Sequence, residues 1–409
     1  MRSERTVDVL VVGAGPAGLA TAARLADAGE VEVLEREARA GGIPRHCHHG
    51  GFGQRTGPQY VRKLTGEAAR AGARLRTSVT VTGWAGPLTL DTTSAQGLER
   101  ITARAVVLAT GARERPRSAR LVPGSRPAGV FTTGELQQTV HLHGRSPGTR
   151  AVVIGAEPVA YSAVRTLLGA GVEIAAMITG LPRHQAAVTD AADTRLRRRV
   201  PLLTDATVAE LLGRERLSGI VVRHADGRRA VIACDTVVFT GDFVPDHELA
   251  RRGGVLLDPG TRGPAVDSAF RTAEPGVFAA GNLLHGAEPA LYAAREGGLA
   301  AAAVLRHLEG APWPAEQIPV RTEDPLGWVA PQRITPGGPP PPYGRFLLRT
   351  TRFLVRPHLV VHQDGRILHR QRLAHTAVPN RSFAVSGSWV GAVDPRGGTV
   401  IFTAEQRSI

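Results

Sequence analysis

The chain has 409 residues, 42% of them apolar and 21% charged, a balance that suits a globular protein of two or three domains and excludes a disordered or fibrous chain. The formal charge of +14 rests on arginine, Lys63 being the sole lysine among 50 basic residues; the arginines are scattered, with one dense group at Arg195, Arg197, Arg198 and Arg199, so the charge favours an anionic substrate or acidic partner over nucleic acid. Two cysteines, Cys47 and Cys234, exclude a disulfide framework and point to a reducing cytoplasm, and no apolar run reaches the ~18 residues of a membrane helix.

The first fifty residues read as a βαβ unit. Val7 to Val12 is a buried-strand pattern, a glycine turn follows, and a helix is expected from Pro16 to Ala28, stopped by Gly29. A second strand runs from Val31 to Leu34 and ends at Glu35. Arg2, Arg5 and Ala20-Thr21-Ala22 imitate a signal peptide, but the glycine spacing has a better explanation. Gly13, Gly15 and Gly18 form G-x-G-x-x-G between strand and helix. Gly13 permits the tight turn, Gly15 lets the backbone approach a pyrophosphate, and Gly18 lets helix and strand pack closely. Amides at the helix start attract the diphosphate. Glu35 stands about twenty residues beyond Gly13, where a carboxylate accepts hydrogen bonds from a ribose.

Residues 41–53 read GGIPRHCHHGGFG, one cysteine among three histidines. A metal knuckle, a thiol centre and a loop folded against a cofactor are the alternatives. Zinc needs about four converging ligands, whereas His46, Cys47, His48 and His49 are consecutive and their side chains diverge in most backbone conformations. A lone cysteine cycling through sulfenic acid needs a stabilised thiolate.

Two later segments identify the dinucleotide. Ala105 to Leu108 read as a buried strand followed by Ala109-Thr110-Gly111, and Val277 to Ala280 as another followed by Gly281-Asn282, with a helix from about Pro289 to Leu308. With these motifs in order, residues 5 to 310 resemble the two-dinucleotide-binding-domain flavoproteins of the pyridine nucleotide–disulfide oxidoreductase superfamily. The likeness implies bound FAD, held by Gly13, Gly15, Pro16, Ala17, Gly18, Glu35, Arg36, Gly42, Val81, Ala109, Thr110, Gly111, Gly281 and Asn282. Asn282 departs from the family's usual aspartate; an asparagine keeps an acceptor for the ribityl hydroxyls and adds a donor. GGIPRHCHHGGFG, VPGSRPAGVFTTGELQQ and PGVFAAGNLLHGAEPA also resemble the alpha-type FAD subunits of opine, sarcosine and hydroxyproline dehydrogenases and the hydrogen cyanide synthase B subunit. Such subunits commonly work beside a second flavoprotein. Disulfide reductases of the superfamily carry two cysteines in the 41–53 region, but here only Cys47 is present. By resemblance the loop lies beside the isoalloxazine, with Arg45, His46, Cys47 and His48 as candidate catalytic residues. They would hold a substrate carboxylate, stabilise an anionic flavin or move a proton; the alternative is that they bond FAD phosphates or backbone and do no chemistry.

The middle of the chain repeats the pattern in RAVVIGAEPVAYSAVRTLLGAGVEIAAMIT, a second βαβ unit that superfamily relatives use for NAD(P)H. The middle glycine of its turn is replaced by Glu157, and Met177 stands where the ribose acid would be. A carboxylate ~4 Å from another anion is repelled by about 4 kcal/mol at an effective dielectric of 20; Glu157 either points away or caps the helix. Arg183 and His184 follow in a loop and could meet a 2′-phosphate, although two basic residues in a loop prove little. Usual nicotinamide binding and a vestigial domain kept for its fold are both open. The chain then returns through a strand at Val237 to Thr240 and a helix start near His247 and Glu248.

The expected architecture is α/β, with two Rossmann-like dinucleotide-binding domains, the FAD domain interrupted by the NAD(P)-like one, and a small C-terminal β-rich region. The boundaries are 1–117, 118–242, 243–311, a proline-rich linker at 312–345 and a β domain of four to six strands at 346–409. The expected function is an FAD-dependent oxidoreductase that moves hydride or electrons between an amine, hydroxy acid or NAD(P)H donor and an acceptor, as a component of a two-flavoprotein dehydrogenase. The alternative is an FAD-binding assembly component without turnover.

Overall fold

The computed structural model describes residues 3–286 and 288–405. It comprises two units: Met1–Arg45, Phe52–Arg113 and Pro245–Ile409 form the first, His46–Gly51 and Glu114–Val244 the second.

The first unit is built on a seven-stranded sheet. Its axis is Ser3–Val12, parallel to Val31–Leu34 on one side and to Gly97–Leu108 on the other. Val9 to Val12 are all buried, as a strand covered on both faces requires. Val277–Ala279 lies parallel to the end of Gly97–Leu108. The sheet is extended by Arg74–Arg76 on one flank and by the antiparallel pair Thr80–Gly86 and Thr89–Ser94 on the other. The helix expected from Pro16 to Ala28 ends at Ala22, and a separate turn of 3-10 helix covers Ala26–Ala28. There the amides change from i−4 to i−3 partners, Arg24 to Thr21 and Leu25 to Ala22, which tightens the chain. The tightening brings Gly29 against the first strand, where a Cβ would lie 2.1 Å from Asp8 Oδ2. The helix Ala290–Leu308 crosses Pro16–Ala22 closely enough that a Cβ on Gly297 would meet the Ala17 carbonyl at 2.1 Å.

Residues 318–405 carry two β-sheets, one of five strands and one of three. Their core gathers Phe346, Leu348, Leu359, Val361, Val385, Trp389, Val400 and Phe402. The segment 312–345, expected to be a linker, instead supplies the strands Ile318–Thr322, Leu326–Ala330 and Arg333–Ile334. Alternation outweighs proline content here: Ile318 and Val320 enter the core while Pro319 faces out. The run Pro339 to Pro342 does stay outside the strands.

Beside this region, His285 and Glu296 are both buried and in contact at 2.9 Å. The His285 ring stacks on Trp328 with centroids 5.6 Å apart, and the Arg349 guanidinium lies 5.1 Å from the same indole. Burial and Arg349 disfavour the imidazolium, but Glu296, seconded by Glu288, outweighs them and raises the His285 pKa. A raised folded-state value means stability that is present below the unfolded value of about 6.5 and lost as pH rises through the folded one. His285→Gln is therefore expected to cost more at about pH 6 than at about pH 9, by an amount on the order of 1 kcal/mol. Melting curves of the two proteins across that range check it; a constant difference refutes the charged pair.

The second unit has a five-stranded parallel sheet in the order Leu202–Leu203, Glu173–Ile178, Arg150–Ile154, Thr236–Phe239, Val130–Thr132. The helices Thr133–His141 and Pro158–Gly169 supply Leu136, Ala163, Val164 and Leu167 to a core shared with Ala151 and Val153. A three-stranded antiparallel sheet, Ala206–Gly213, Leu217–His224 and Arg229–Ala233, completes it. Among the described residues no helix is long and apolar enough to cross a membrane.

Candidate functional site: a dinucleotide crevice and a polar loop

In the first unit three strand ends are brought level by backbone bonds. Gly13 N donates to Leu34 O at 2.8 Å, Ala109 N to Val12 O at 2.8 Å, and Ala280 N to Leu108 O at 3.0 Å. The three glycine-bearing turns therefore open at one edge of the sheet, the carboxyl end of its parallel strands, where α/β folds bind nucleotides.

Each glycine has a separate steric reason. Gly13 adopts φ +104°, and a Cβ there would lie 2.5 Å from the Ala109 carbonyl. A Cβ on Gly18 would fall 1.9 Å from Gly13 O. A Cβ on Gly15 would meet nothing within 4 Å, so the backbone at Gly15 faces open space. Leu19 N is bonded to Gly15 O at 3.0 Å; the amides ahead of it have no partner inside the helix. Pro16 opens the helix, and Ala17 lies against Gly281, whose own Cβ would meet the Ala17 methyl at 2.5 Å. Gly42, at φ +60°, passes over the turn with its Cβ position 3.1 Å from Gly15 Cα, and Gly41 N donates to Ala14 O at 2.7 Å.

Glu35 is buried, and its carboxylate accepts from Ala14 N at 3.1 Å and Glu37 N at 2.9 Å. These bonds tie the glycine turn to the second strand and leave acceptor capacity for a ribose, since a carboxylate offers about four sites. Arg36 reaches Asp246 at 3.4 Å. Asp246 also holds the second turn: the Thr110 hydroxyl donates to its carbonyl at 2.7 Å, and its amide donates to Gly111 O at 2.8 Å. Val81 lies in Thr80–Gly86, two residues past Val79, whose amide bonds Glu35 O at 2.9 Å. The Asn282 side chain is engaged at both ends by the Glu288 backbone, each bond 3.0 Å long. It braces its own turn, a role the sequence did not suggest.

This cradle fits a dinucleotide diphosphate. Residues 7–298 match the model of the pyridine nucleotide-disulphide oxidoreductase family. The chain belongs to that family. It is an FAD-binding oxidoreductase, FAD supplying the redox chemistry when bound. The sarcosine oxidase alpha subunit of Rhizobium meliloti (strain 1021) is 27% identical over 81% of this chain, which spans 33% of that protein. The opine oxidase A subunit of Agrobacterium tumefaciens (strain Ach5) is 27% identical over 73% of this chain, which spans 66% of it. In fold, the chain resembles thioredoxin reductase of T. acidophilum, with TM-score 0.63 and 23% identity over 74% of this chain and 99% of that one.

In this family member the side chains of the loop with Cys47 and three histidines find different partners, and two of them meet again in one row. Arg45 belongs to the first unit and donates to Arg39 O at 2.6 Å; the others belong to the second. His46 is buried. His48 stacks on His141 with centroids 4.3 Å apart. Cys47 donates to Gln137 Oε1 at 3.3 Å, Gln137 Nε2 donates to Ser162 Oγ at 2.8 Å, and Ser162 lies 2.6 Å from His49 Nε2. His49 Nδ1 is 2.5 Å from the Gly50 carbonyl, which can only accept, so Nδ1 carries a proton. Burial, with Arg165 nearby, lowers the His49 pKa. The neutral ring then accepts from Ser162, and the four residues form one directed hydrogen-bonded row.

Burial, seconded by Glu114, pushes the Cys47 thiol up to about 12. At neutral pH it is a hydrogen-bond donor and not a thiolate. Cys47 in the native protein is expected to resist alkylation by iodoacetamide at about pH 8; rapid labelling of this residue would overturn the assignment.

Sequence reasoning missed Gln137, Ser162, Asp246 and Glu114. Gln137 lies inside the VPGSRPAGVFTTGELQQ segment, which was the one available signal. Burial lifts the Glu114 carboxyl to about 7, against the pull of the Gly134 amide at 2.8 Å. In the second βαβ turn Glu157 is also buried, and desolvation raises its pKa against hydrogen bonds from Thr240 and backbone amides.

Proposed function

We propose that the protein is the FAD-carrying component of a two-flavoprotein dehydrogenase, moving electrons between a small amine or hydroxy acid donor and an acceptor. The observation that carries this reading is the state of the thiols. Cys47 and Cys234 are both buried, with thiols pushed up to about 12 and about 11, and desolvation is the largest cause for each. A dithiol relay of the disulfide-reductase kind needs a reactive thiolate and a resolving partner. FAD is left as the redox centre, and it needs a donor and an outlet. The relatives named as subunits of sarcosine and opine oxidases support an amine donor and a partner flavoprotein. The candidate roles of Arg45, His46 and His48 toward substrate belong to the same proposal.

The test is anaerobic titration of the holoprotein, alone and with any flavoprotein dehydrogenase subunit whose gene adjoins its own, against sarcosine, an opine, a 2-hydroxy acid, NADH and NADPH. Loss of visible flavin absorbance with an amine or hydroxy acid when the partner is present is the expected result. Flavin that stays oxidised with every donor and the partner present would refute the reading in favour of an assembly component.

A further inference from the structure

The two βαβ turns of this chain follow one plan, bond for bond, until one amide. In the first unit Gly13 N donates to Leu34 O at the end of the second strand, and in the second unit Gly155 N donates to Ile178 O, both at 2.8 Å. Gly41 N donates to Ala14 O at 2.7 Å; Gln185 N donates to Ala156 O at 2.8 Å. Ala109 N meets Val12 O, and Thr240 N meets Ile154 O. The plans part at the alanine amide. Ala14 N is held by Glu35, the acid that ends the neighbouring strand. No acid ends Glu173–Ile178: the bond from Gly155 to Ile178 puts Thr179, and not Met177 as the residue count suggested, at the place of Glu35. Ala156 N is instead held at 3.0 Å by Glu157 Oε2, from the residue that replaces the middle glycine.

The Glu157 carboxyl is fully enclosed by this turn. Its Oε1 is hydrogen-bonded to the Thr240 hydroxyl. A Cβ on Gly155 would meet Oε2 at 2.6 Å, and one on Gly241 would meet Oε1 at 2.8 Å. Arg120 donates to Thr240 O at 3.0 Å and Gly241 O at 2.8 Å, and its charge acts on the Glu157 carboxyl. The contrast with Gly15, which faces open space, is direct. In the first unit no side chain takes the position beside Gly15; in the second the Glu157 side chain takes it and uses its amide.

We propose that Glu157 is the residue that decides donor specificity, its carboxyl occupying the diphosphate seat of the second unit so that pyridine nucleotides are excluded. The exclusion does not depend on the charge of Glu157. Ionised, it repels a diphosphate; protonated, it still takes up the space and the amide. Glu114, within electrostatic reach of Glu157, adds to the repulsion whenever it is ionised. The inference goes beyond the proposed function and stands whether or not the donor is an amine.

The test is calorimetric titration of the FAD-loaded protein with NADH and with NADPH, for wild type, Glu157→Gly and Glu157→Ala. Flavin content and melting temperature show which variants fold. Wild type is expected to bind neither nucleotide more tightly than about millimolar, and Glu157→Gly to bind at least one about tenfold or more tightly than wild type. Glu157→Ala serves the same purpose should the glycine variant fail to fold, since it also removes the carboxyl. Micromolar binding by wild type overturns the proposal, as does a folded variant with no gain. Neither result bears on amine oxidation, which the anaerobic titration reads separately.

Discussion

Gly18→Val is expected to yield a protein that purifies without flavin and melts well below the wild type. The first Cβ atom would fall 1.9 Å from Gly13 O and 3.2 Å from Val11 Cγ1. Neither neighbour can retreat. Gly13 is already at φ +104° with its own Cβ position 2.5 Å from Ala109 O, and Val11 is fully buried in the central strand. The helix Pro16–Ala22 must then lift from the sheet, which costs on the order of 3 kcal/mol as overpacking. The displaced turn loses FAD as well, and with it the stabilisation that a ligand at about a thousand times its dissociation constant provides, roughly 4 kcal/mol. Gly15→Ala separates the two effects. Its methyl would meet no protein atom within 4 Å, so the apoprotein should melt like wild-type apoprotein while FAD affinity falls. The ratio of flavin to protein absorbance and calorimetric melting of both variants check this. A yellow, fully loaded Gly18→Val protein would show that the crevice does not hold the cofactor.

Phe346→Ala is expected to cost about 3–5 kcal/mol. Phe346 is fully buried and is the centre of an aromatic group, with Trp389 stacked at 5.0 Å and Phe402 at 5.5 Å. Trp389 and Phe402 also meet each other at 5.6 Å. Removing the ring leaves two large aromatic faces with no atoms to meet, and side chains of this size cannot collapse into the gap. Urea unfolding followed through tryptophan fluorescence measures the loss. A change below about 1 kcal/mol would mean that this group is not the core of the C-terminal sheets.

Much of the architecture is readable in the residues because its signals are local. Gly13, Gly15 and Gly18 sit between a run of buried valines and a helix, and the demands of turn, phosphate approach and helix packing all fall within six residues. The strand ending at Leu108 and the strand ending at Ala279 announce themselves by continuous apolar runs before a glycine. What could not be read depends on partners far along the chain. Asp246 holds the turn of Thr110 across 136 residues, and His49 finds Ser162 across 113. No periodicity encodes such pairs. The early end of the first helix at Ala22 goes with the close approach of Gly29 to Asp8, a tertiary contact that propensity does not contain. The strands at 318–334 were hidden by proline content, although the alternation Ile318, Val320 was there to be counted. Glu157 was legible as an intruder, but its oxygens find their partners only in the folded turn.

The row from Cys47 to His49 has a polarity. Every hydrogen in it faces the imidazole, and Nδ1 is already committed to the Gly50 carbonyl. A proton arriving at Nε2 would leave the Ser162 hydroxyl hydrogen without its acceptor, and the glutamine amide behind it would have to turn to restore the sequence of donors. Acidification would thus be felt at Cys47, two hydrogen bonds beyond Ser162, before any backbone moved.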